Sequence, residues 1–441
     1  MITVDTLTRV GPGTPAGMLF REFWLPVAKA SEIEADGPPL RLLVLGEKLL
    51  AFRDSDGRVG IIDHRCPHRC ASLFFGRNEE GGLRCAYHGW KFDVEGNCLD
   101  MPNVPPEQGF ASRVKAKAYP ARERNNAIWV YMGPRAEPPP LPTIGIVDDQ
   151  ERELVVDLVA RNCNWLQAYE GDIDPSHLGF LHHGNHDIEA VRGDFVGEWI
   201  IGGPAAKTCV ADTAWGTMEG HVRPTSSAPS YWHYSHHLFP SWSMPGQDQM
   251  EFEHPVVRFW LPMDDEHSMS FQFMPAMAMA KSGQPVFFDR ALAKLPGVGK
   301  RTREALLPNT SDWLGRWNIS PAIENDFFID REMQRTASYT GIDGVQIQDK
   351  AITESMGPIV DRSLEHLTPA DLMIARVRKR LVAAVEDHQR DGRVPAVIDD
   401  PSLYRGAFAG GVHSRTEDQD WLELYRESVT TLGLPEPALN A

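Results

Sequence analysis

Residues 66–88 read CPHRCASLFFGRNEEGGLRCAYH. Cys66-Pro-His68 and Cys85-Ala-Tyr-His88 are two short Cys/His units separated by the sixteen residues 69–84. Two thiols and two imidazoles on two short loops can surround one metal centre. Both donor types serve zinc and iron–sulfur centres alike. Spacing alone leaves two readings open, a structural zinc site and an iron–sulfur site.

Outward from these loops, residues 40–130 alternate short apolar runs with turn signals: LRLLVLG, LLAFRDSDGRVGIID, GLRCAYHGWKFDVEGN and AIWVYMG. DSDG and DVEGN have the Asp and Gly content of hairpin turns, so the stretch predicts an all-β module. GPRAEPPPLPTIG (133–145) closes it, and three consecutive prolines favour extended chain. Beyond it ELVVDLVA reads as a strand, 162–183 as a helix broken at Gly184, and 195–280 as aromatic-rich strands such as YWHYSHHLFPSW. In DLMIARVRKRLVAAVEDHQRDG (371–392), Leu372, Ile374, Val377, Leu381 and Val385 share one helical face, with a start at Thr368-Pro-Ala-Asp371. The class expected is α+β, a small β domain followed by a larger one. The divisions are an N-terminal segment 1–40, a β domain 41–135, a linker 136–150 and a large domain 151–441.

The chain has 441 residues, 42% of them hydrophobic and 24% charged, enough to bury a sizeable core. With 44 basic against 61 acidic residues the net charge is −17, which argues against bulk nucleic-acid binding. No run of about 18 apolar residues suggests a membrane span. The N-terminal residues lack a basic stretch followed by an apolar one, so a cytoplasmic protein is expected. Six cysteines (66, 70, 85, 98, 163 and 209) are too few for a disulfide framework and suit metal-binding thiolates in a reducing compartment.

CPHR, CAYHGWKF and DVEGNC resemble the Rieske ferredoxin-like pattern loop by loop over about residues 40–130. The resemblance implies a [2Fe–2S] cluster at the tip of the β domain, one iron held by Cys66 and Cys85 and the other by His68 and His88. Such a centre transfers one electron and has a raised potential relative to an all-cysteine cluster. Cys70 departs from the pattern, where glycine is common, and is expected to be a small buried residue rather than a ligand.

The second constellation is Asn164-Trp-Leu-Gln-Ala-Tyr-Glu170-Gly-Asp172-Ile-Asp174-Pro-Ser-His177-Leu-Gly-Phe-Leu-His182-His183. Two histidines and a carboxylate on one face leave a mononuclear iron open positions for oxygen beside a substrate. Asp174 and His177 are i,i+3 neighbours. From His177 to His182 a regular helix turns about 140°, so it must end or widen there to aim both rings at one atom. By spacing alone, a histidine-rich helix end reads as a solvated or capping feature. E-G-x-x-D-x-x-H-x-x-x-x-H after Asn-Trp, however, resembles the iron-binding segment of Rieske oxygenases, especially the phthalate dioxygenase-like group. The resemblance implies that His177 and His182 bind iron, with His183 a rival to His182, and that Asp174 bridges to the cluster of another subunit. Gln346-Ile-Gln-Asp349-Lys-Ala-Ile-Thr-Glu354 resembles the segment that supplies the third ligand, implying Asp349; Asp326, Asp330 and Asp343 are rivals. ESMGPIVDRSLEHL (354–367) extends the likeness along most of the chain.

The resemblance identifies the chain as an alpha subunit of a Rieske non-haem iron aromatic ring-hydroxylating oxygenase, its larger domain an antiparallel sheet flanked by helices. It implies O2 activation at mononuclear iron(II) and attack on an aromatic acid or aryl ether by hydroxylation or oxidative dealkylation. Electrons would come from NAD(P)H through a separate reductase, since no dinucleotide or flavin signature is evident. A head-to-tail homotrimer, or a multiple of it, would set His88 of one chain against Asp174 of the next. The run Tyr231–Phe239 reads equally as pocket lining or central strand. His233 stands where relatives often carry arginine, and Arg223 is another possible cation for a substrate. Rival classes are a Rieske electron carrier without its own oxygenation and a protein with two structural zincs. The carrier leaves the 300 residues beyond the linker unexplained.

Overall fold

Hairpins build the first part of the chain. Strands β1 (Trp24–Lys29), β2 (Leu40–Val44), β3 (Glu47–Arg53), β4 (Val59–Asp63), β5 (Arg77–Glu79), β6 (Gly82–Arg84), β7 (Lys91–Phe92), β8 (Cys98–Asp100), β9 (Ala118–Tyr119), β10 (Ala121–Arg124) and β11 (Ala127–Tyr131) form three antiparallel sheets. Their orders are β2-β3-β4-β9, β5-β6-β7-β8 and β1-β11-β10. The two Asp-Gly turns fold alike. Asp54 Oδ1 accepts from the backbones of Asp56 and Arg58 (3.0 and 2.8 Å) before Gly57 at φ +80°. Asp93 Oδ1 accepts from Glu95 and Asn97 (2.9 and 2.8 Å) before Gly96 at φ +83°. Asx geometry and a left-handed glycine are what such turns require.

The computed structural model describes residues 3–145, 154–184, 186–192, 195–201, 207–223, 231–246, 256–276, 294–300, 302–414 and 419–431. In the larger part, β12 (Leu154–Arg161), β13 (Lys207–Asp212), β14 (Gly216–Arg223), β15 (Tyr231–Leu238), β16 (Trp242–Met244), β17 (Val257–Pro262), β18 (Ser268–Pro275) and β19 (Gly410–His413) form one antiparallel sheet. Its order is β12-β18-β17-β16-β15-β14-β13, with β19 beside β15. The fold is thus α+β, a small all-β domain followed by a larger domain whose antiparallel sheet carries helices. Arg223 ends β14, but its side chain lies outside the described residues.

Helices α1 (Pro15–Arg21), α2 (Trp165–Asp172), α3 (Val345–Ser355), α4 (Leu372–Asp391) and α5 (Trp421–Thr431) flank the sheets. α4 buries Met373, Ile374, Val377, Leu381 and Val385, which contributes about 10 kcal/mol of apolar burial against an extended reference. Leu372, assigned to that face from the sequence, is instead 43% exposed; Met373 takes its place because the chain is still turning out of Pro369–Asp371. The expected helix over 162–183 is also corrected. It ends at Asp172, and a separate π-turn follows at Leu178–His182.

One hydrophobic cluster joins the two parts, running from Leu42 and Ile61 through Trp129 to Trp242 and Phe273. The linker prolines are tied into it, with Trp24 Nε1 donating to the Pro139 carbonyl at 2.6 Å. A second cluster, built on Leu50, Phe52, Leu83 and Phe92, surrounds Cys66 and Cys85. No described helix is long and apolar enough to cross a membrane.

Candidate metal centres

The 66–88 motif occupies two loops of one design. In the first, between β4 and β5, Cys66 N donates to Ala71 O (2.8 Å) and Cys70 N donates to Cys66 O (2.9 Å). In the second, between β6 and β7, Cys85 N donates to Trp90 O (2.8 Å) and Gly89 N donates to Cys85 O (3.0 Å). Each loop closes on a left-handed residue four places after its cysteine, Gly89 at φ +79° and Cys70 at φ +59°. Glycine is favoured there because it lacks a Cβ. Cys70 was expected to be buried; it is exposed, since its backbone rather than its side chain serves the loop.

Cys66 and Cys85 are buried at 1% and 3% exposure, and none of the six cysteines forms a disulfide. His68 and His88 sit half-buried above them, ring centroids 4.5 Å apart, with His68 stacked on Trp90 at 4.4 Å. Burial, reinforced by Cys85, pushes the Cys66 thiol up to about 11. Two adjacent buried thiols can ionise together only around a cationic centre. Two thiolates for one iron and two imidazoles for the other are the ligands of a Rieske-type centre, and the donor set therefore fits a [2Fe–2S] group.

Below the sheet, α2 ends as Asp172 is drawn into bonds with Arg258, Ser243 and Trp260 Nε1, the last at 3.1 Å. The chain then bends through Asp174-Pro-Ser, where Asp174 Oδ1 accepts from Ser176 N at 2.7 Å. The π-turn begins directly after His177. Because a π-turn sets residue i under i+5, the His177 and His182 rings lie 5.0 Å apart. Asp349 on α3 closes the group, its Oδ1 3.5 Å from His177 Nε2 and 3.2 Å from His182 Nε2. Ligand atoms of all three lie within 4.8 Å of one another.

Asp174 Oδ2 lies 3.4 Å from His177 Nδ1, on the side of the ring away from Asp349. Burial would depress the His177 imidazole, yet Asp174 and Asp349 hold its pKa up at about 10. Burial opposes ionisation of Asp349, but His182 and His177 keep its carboxyl far below the ordinary carboxylate range. The site is short of positive charge, and its donor set fits a divalent iron. The rivals lie elsewhere. The His183 ring is 6.1 Å from that of His182, and burial with two neighbouring histidines drives it down to about 3. Asp326 and Asp343 are exposed, and Asp330 caps the helix that starts at Arg331.

Gln348, the neighbour of Asp349, carries no sign in the sequence of a part in the site. Gln348 is fully buried, and its Oε1 lies 2.6 Å from His182 Nδ1. Tyr231–Leu238 proves to be a central strand, all eight residues buried. Trp232 and Tyr234 pack on α5, while Tyr231 joins Val191 and Ile200 against Leu178 of the π-turn.

Comparison with known proteins bears on both centres. Residues 23–120 match the Rieske [2Fe-2S] domain, and residues 316–428 match a LigXa C-terminal domain-like family. The oxygenase subunit of 3-chlorobenzoate-3,4-dioxygenase from Comamonas testosteroni is 42% identical, over 97% of this chain and 98% of that protein. The oxygenase subunit of phthalate 4,5-dioxygenase from Pseudomonas putida is 33% identical, over 87% and 85%. Among solved structures, the NdmA QL mutant of Pseudomonas putida CBB5 with caffeine shares the fold at a TM-score of 0.57. It is 18% identical and covers 91% of this chain and 98% of its own.

Proposed function

Because this chain belongs to the Rieske non-haem iron ring-hydroxylating oxygenases, as an alpha subunit of the phthalate dioxygenase-like group, we propose a role for each residue of its two centres. The protein is the terminal oxygenase component of a multicomponent system. Cys66 and Cys85 would hold one cluster iron and His68 and His88 the other; His177, His182 and Asp349 would hold the mononuclear iron. When bound, these groups supply one-electron transfer and activation of O2 for oxygenation of an aromatic ring or ether. The chain's own contribution is position. The π-turn aims two imidazoles at Asp349, and buried Cys66 and Cys85 keep water from the cluster's inner side.

Asp174, 3.4 Å from His177 Nδ1, would orient the ligand and accept a hydrogen bond from His88 of a neighbouring subunit. Head-to-tail assembly, as a trimer or a multiple of it, would bring those two residues together. Electrons would arrive from NAD(P)H through a separate reductase. The relatives named for 3-chlorobenzoate and phthalate support an aromatic acid as substrate. The observation that carries the reading is the convergence of His177, His182 and Asp349 within 4.8 Å. An electron carrier alone would have no use for it.

The test is oxygen uptake by the purified protein with NADH and a compatible reductase, screened over benzoates and aryl ethers. Substrate-dependent uptake with an oxygenated product is expected. Protein loaded at both centres that consumes no oxygen with any of them would overturn the reading.

A further inference from the structure

A cavity of ≈ 360 Å³ opens beside the second centre, lined by Asp174, His177 and Asp349 and, from the sheet, by Arg161, Arg258 and Trp260. That size suits a small organic ligand. Arg362 and Arg378 also line it, and three of these four arginines are neutralised. Arg258 bonds Asp172 and Gln272 Oε1 (2.8 Å). Arg362 bonds Glu170 and Glu365 (3.1 and 2.9 Å), and Arg378 bonds the same two acids at 2.6 Å each.

Arg161 is the exception. It is 5% exposed, and among the described residues its buried Nε and Nη1 have no acceptor. Its guanidinium lies 5.6 Å from the Trp260 ring. The acid that shares its surroundings, Glu354, receives Lys350 Nζ and Asn162 N (2.6 Å) on Oε1 alone, while its buried Oε2 has no partner among the described residues and makes no bond to Arg161. Arg161 and Glu354 both bear on the buried Cys163 thiol, and the charge of Arg161 also reaches Lys350. Two cations therefore share one carboxylate. A guanidinium cannot shed its proton to escape burial, so an unpaired one beside a cavity is a costly arrangement that an incoming anion would relieve.

We propose that Arg161 anchors the carboxylate of an aromatic acid substrate through the part of its guanidinium that lines the cavity, while the ring extends toward His177 and Asp349. This rests on the oxygenase reading above and adds the residue that would hold the substrate's charge. The planar fork of arginine matches a carboxylate in a way that lysine does not. Trp260, against which the guanidinium lies, keeps it oriented.

The experiment is calorimetric titration of the oxidised holoenzyme with benzoate and with the neutral isostere benzamide. Wild type should bind benzoate at least about tenfold tighter, as a charge-assisted pair allows. R161Q should lose the difference and R161K keep part of it. Melting temperatures give an independent readout. Saturating benzoate should raise that of wild type and not that of R161Q, while unliganded R161Q should melt no lower than wild type. Equal affinities in wild type, discrimination retained by R161Q, or a ligand-free loss of stability in both variants would each overturn the proposal. Iron content and the cluster EPR signal are read on the same samples. A deficit there counts against the oxygenase reading, whereas full loading without discrimination counts against Arg161 alone.

Discussion

His182 can offer a metal only one of its two nitrogens, and Gln348 decides which. The Gln348 amide nitrogen donates to Gly297 O and Ile342 O at 2.8 and 2.7 Å. Its oxygen must therefore face His182 Nδ1, so Nδ1 carries the hydrogen and Nε2 presents its lone pair toward Asp349. Q348L should weaken iron(II) binding about 10- to 100-fold, while Q348E, which keeps an acceptor, should lose less. Iron titration with the cluster EPR signal as control checks this, and an unchanged affinity in Q348L would remove the assignment. Asp174 acts on the other imidazole. D174N should retain both metals and lower turnover about 100-fold; full turnover in the purified, loaded variant would end its role as a bridge.

At the scale of elements, the π-turn Leu178–His182 makes one site out of two histidines. Inserting one alanine between Gly179 and Phe180 separates them by six positions and swings the second ring about 240° from the first in a regular helix. The variant should keep its cluster and lose its mononuclear iron. Retention of that iron would show that the turn does not set the spacing. The need for such a widening was legible in the sequence, because five residues do not make whole helical turns. The hairpins at Asp54–Gly57 and Asp93–Gly96 were legible for a similar reason, since their cause is local. The end of α2 at Asp172 was not. Arg258 and Trp260 draw that aspartate out from more than eighty residues away. Asp349 was found through family resemblance, for nothing in its own spacing marks it. Gln348 and Arg161 escaped notice because what defines them, a distant ring nitrogen and a missing acceptor, exists only after folding.

Across the whole molecule, Glu47 binds the N-terminal helix to the small β domain, accepting from Arg21, Lys117 and Tyr119 at 2.9, 2.5 and 2.9 Å. Burial alone would raise its carboxyl, but the hydrogen bonds from Lys117, Arg21 and Tyr119 hold it below the ordinary value. A carboxyl depressed in the folded state stabilises above its unfolded pKa, about 4.3, and that contribution is lost as pH falls through the folded value. E47Q should therefore melt below wild type at pH 7, with the gap closing under about pH 4. A gap constant from pH 7 to 3.5 would contradict the linkage. The two centres pose the larger question of assembly. Phe75 and Tyr87 stand 70% and 58% exposed on the domain that carries the cluster loops, and Phe180 stands 59% exposed beside the second site. Head-to-tail association as proposed would cover such surfaces. One chain should carry two different iron centres, so iron quantified alongside EPR of the dithionite-reduced, anaerobically purified protein should come to about three per chain with a Rieske signal. Two irons confined to the cluster, with none further retained after iron(II) reconstitution, would contradict it and leave His177, His182 and Asp349 without their role.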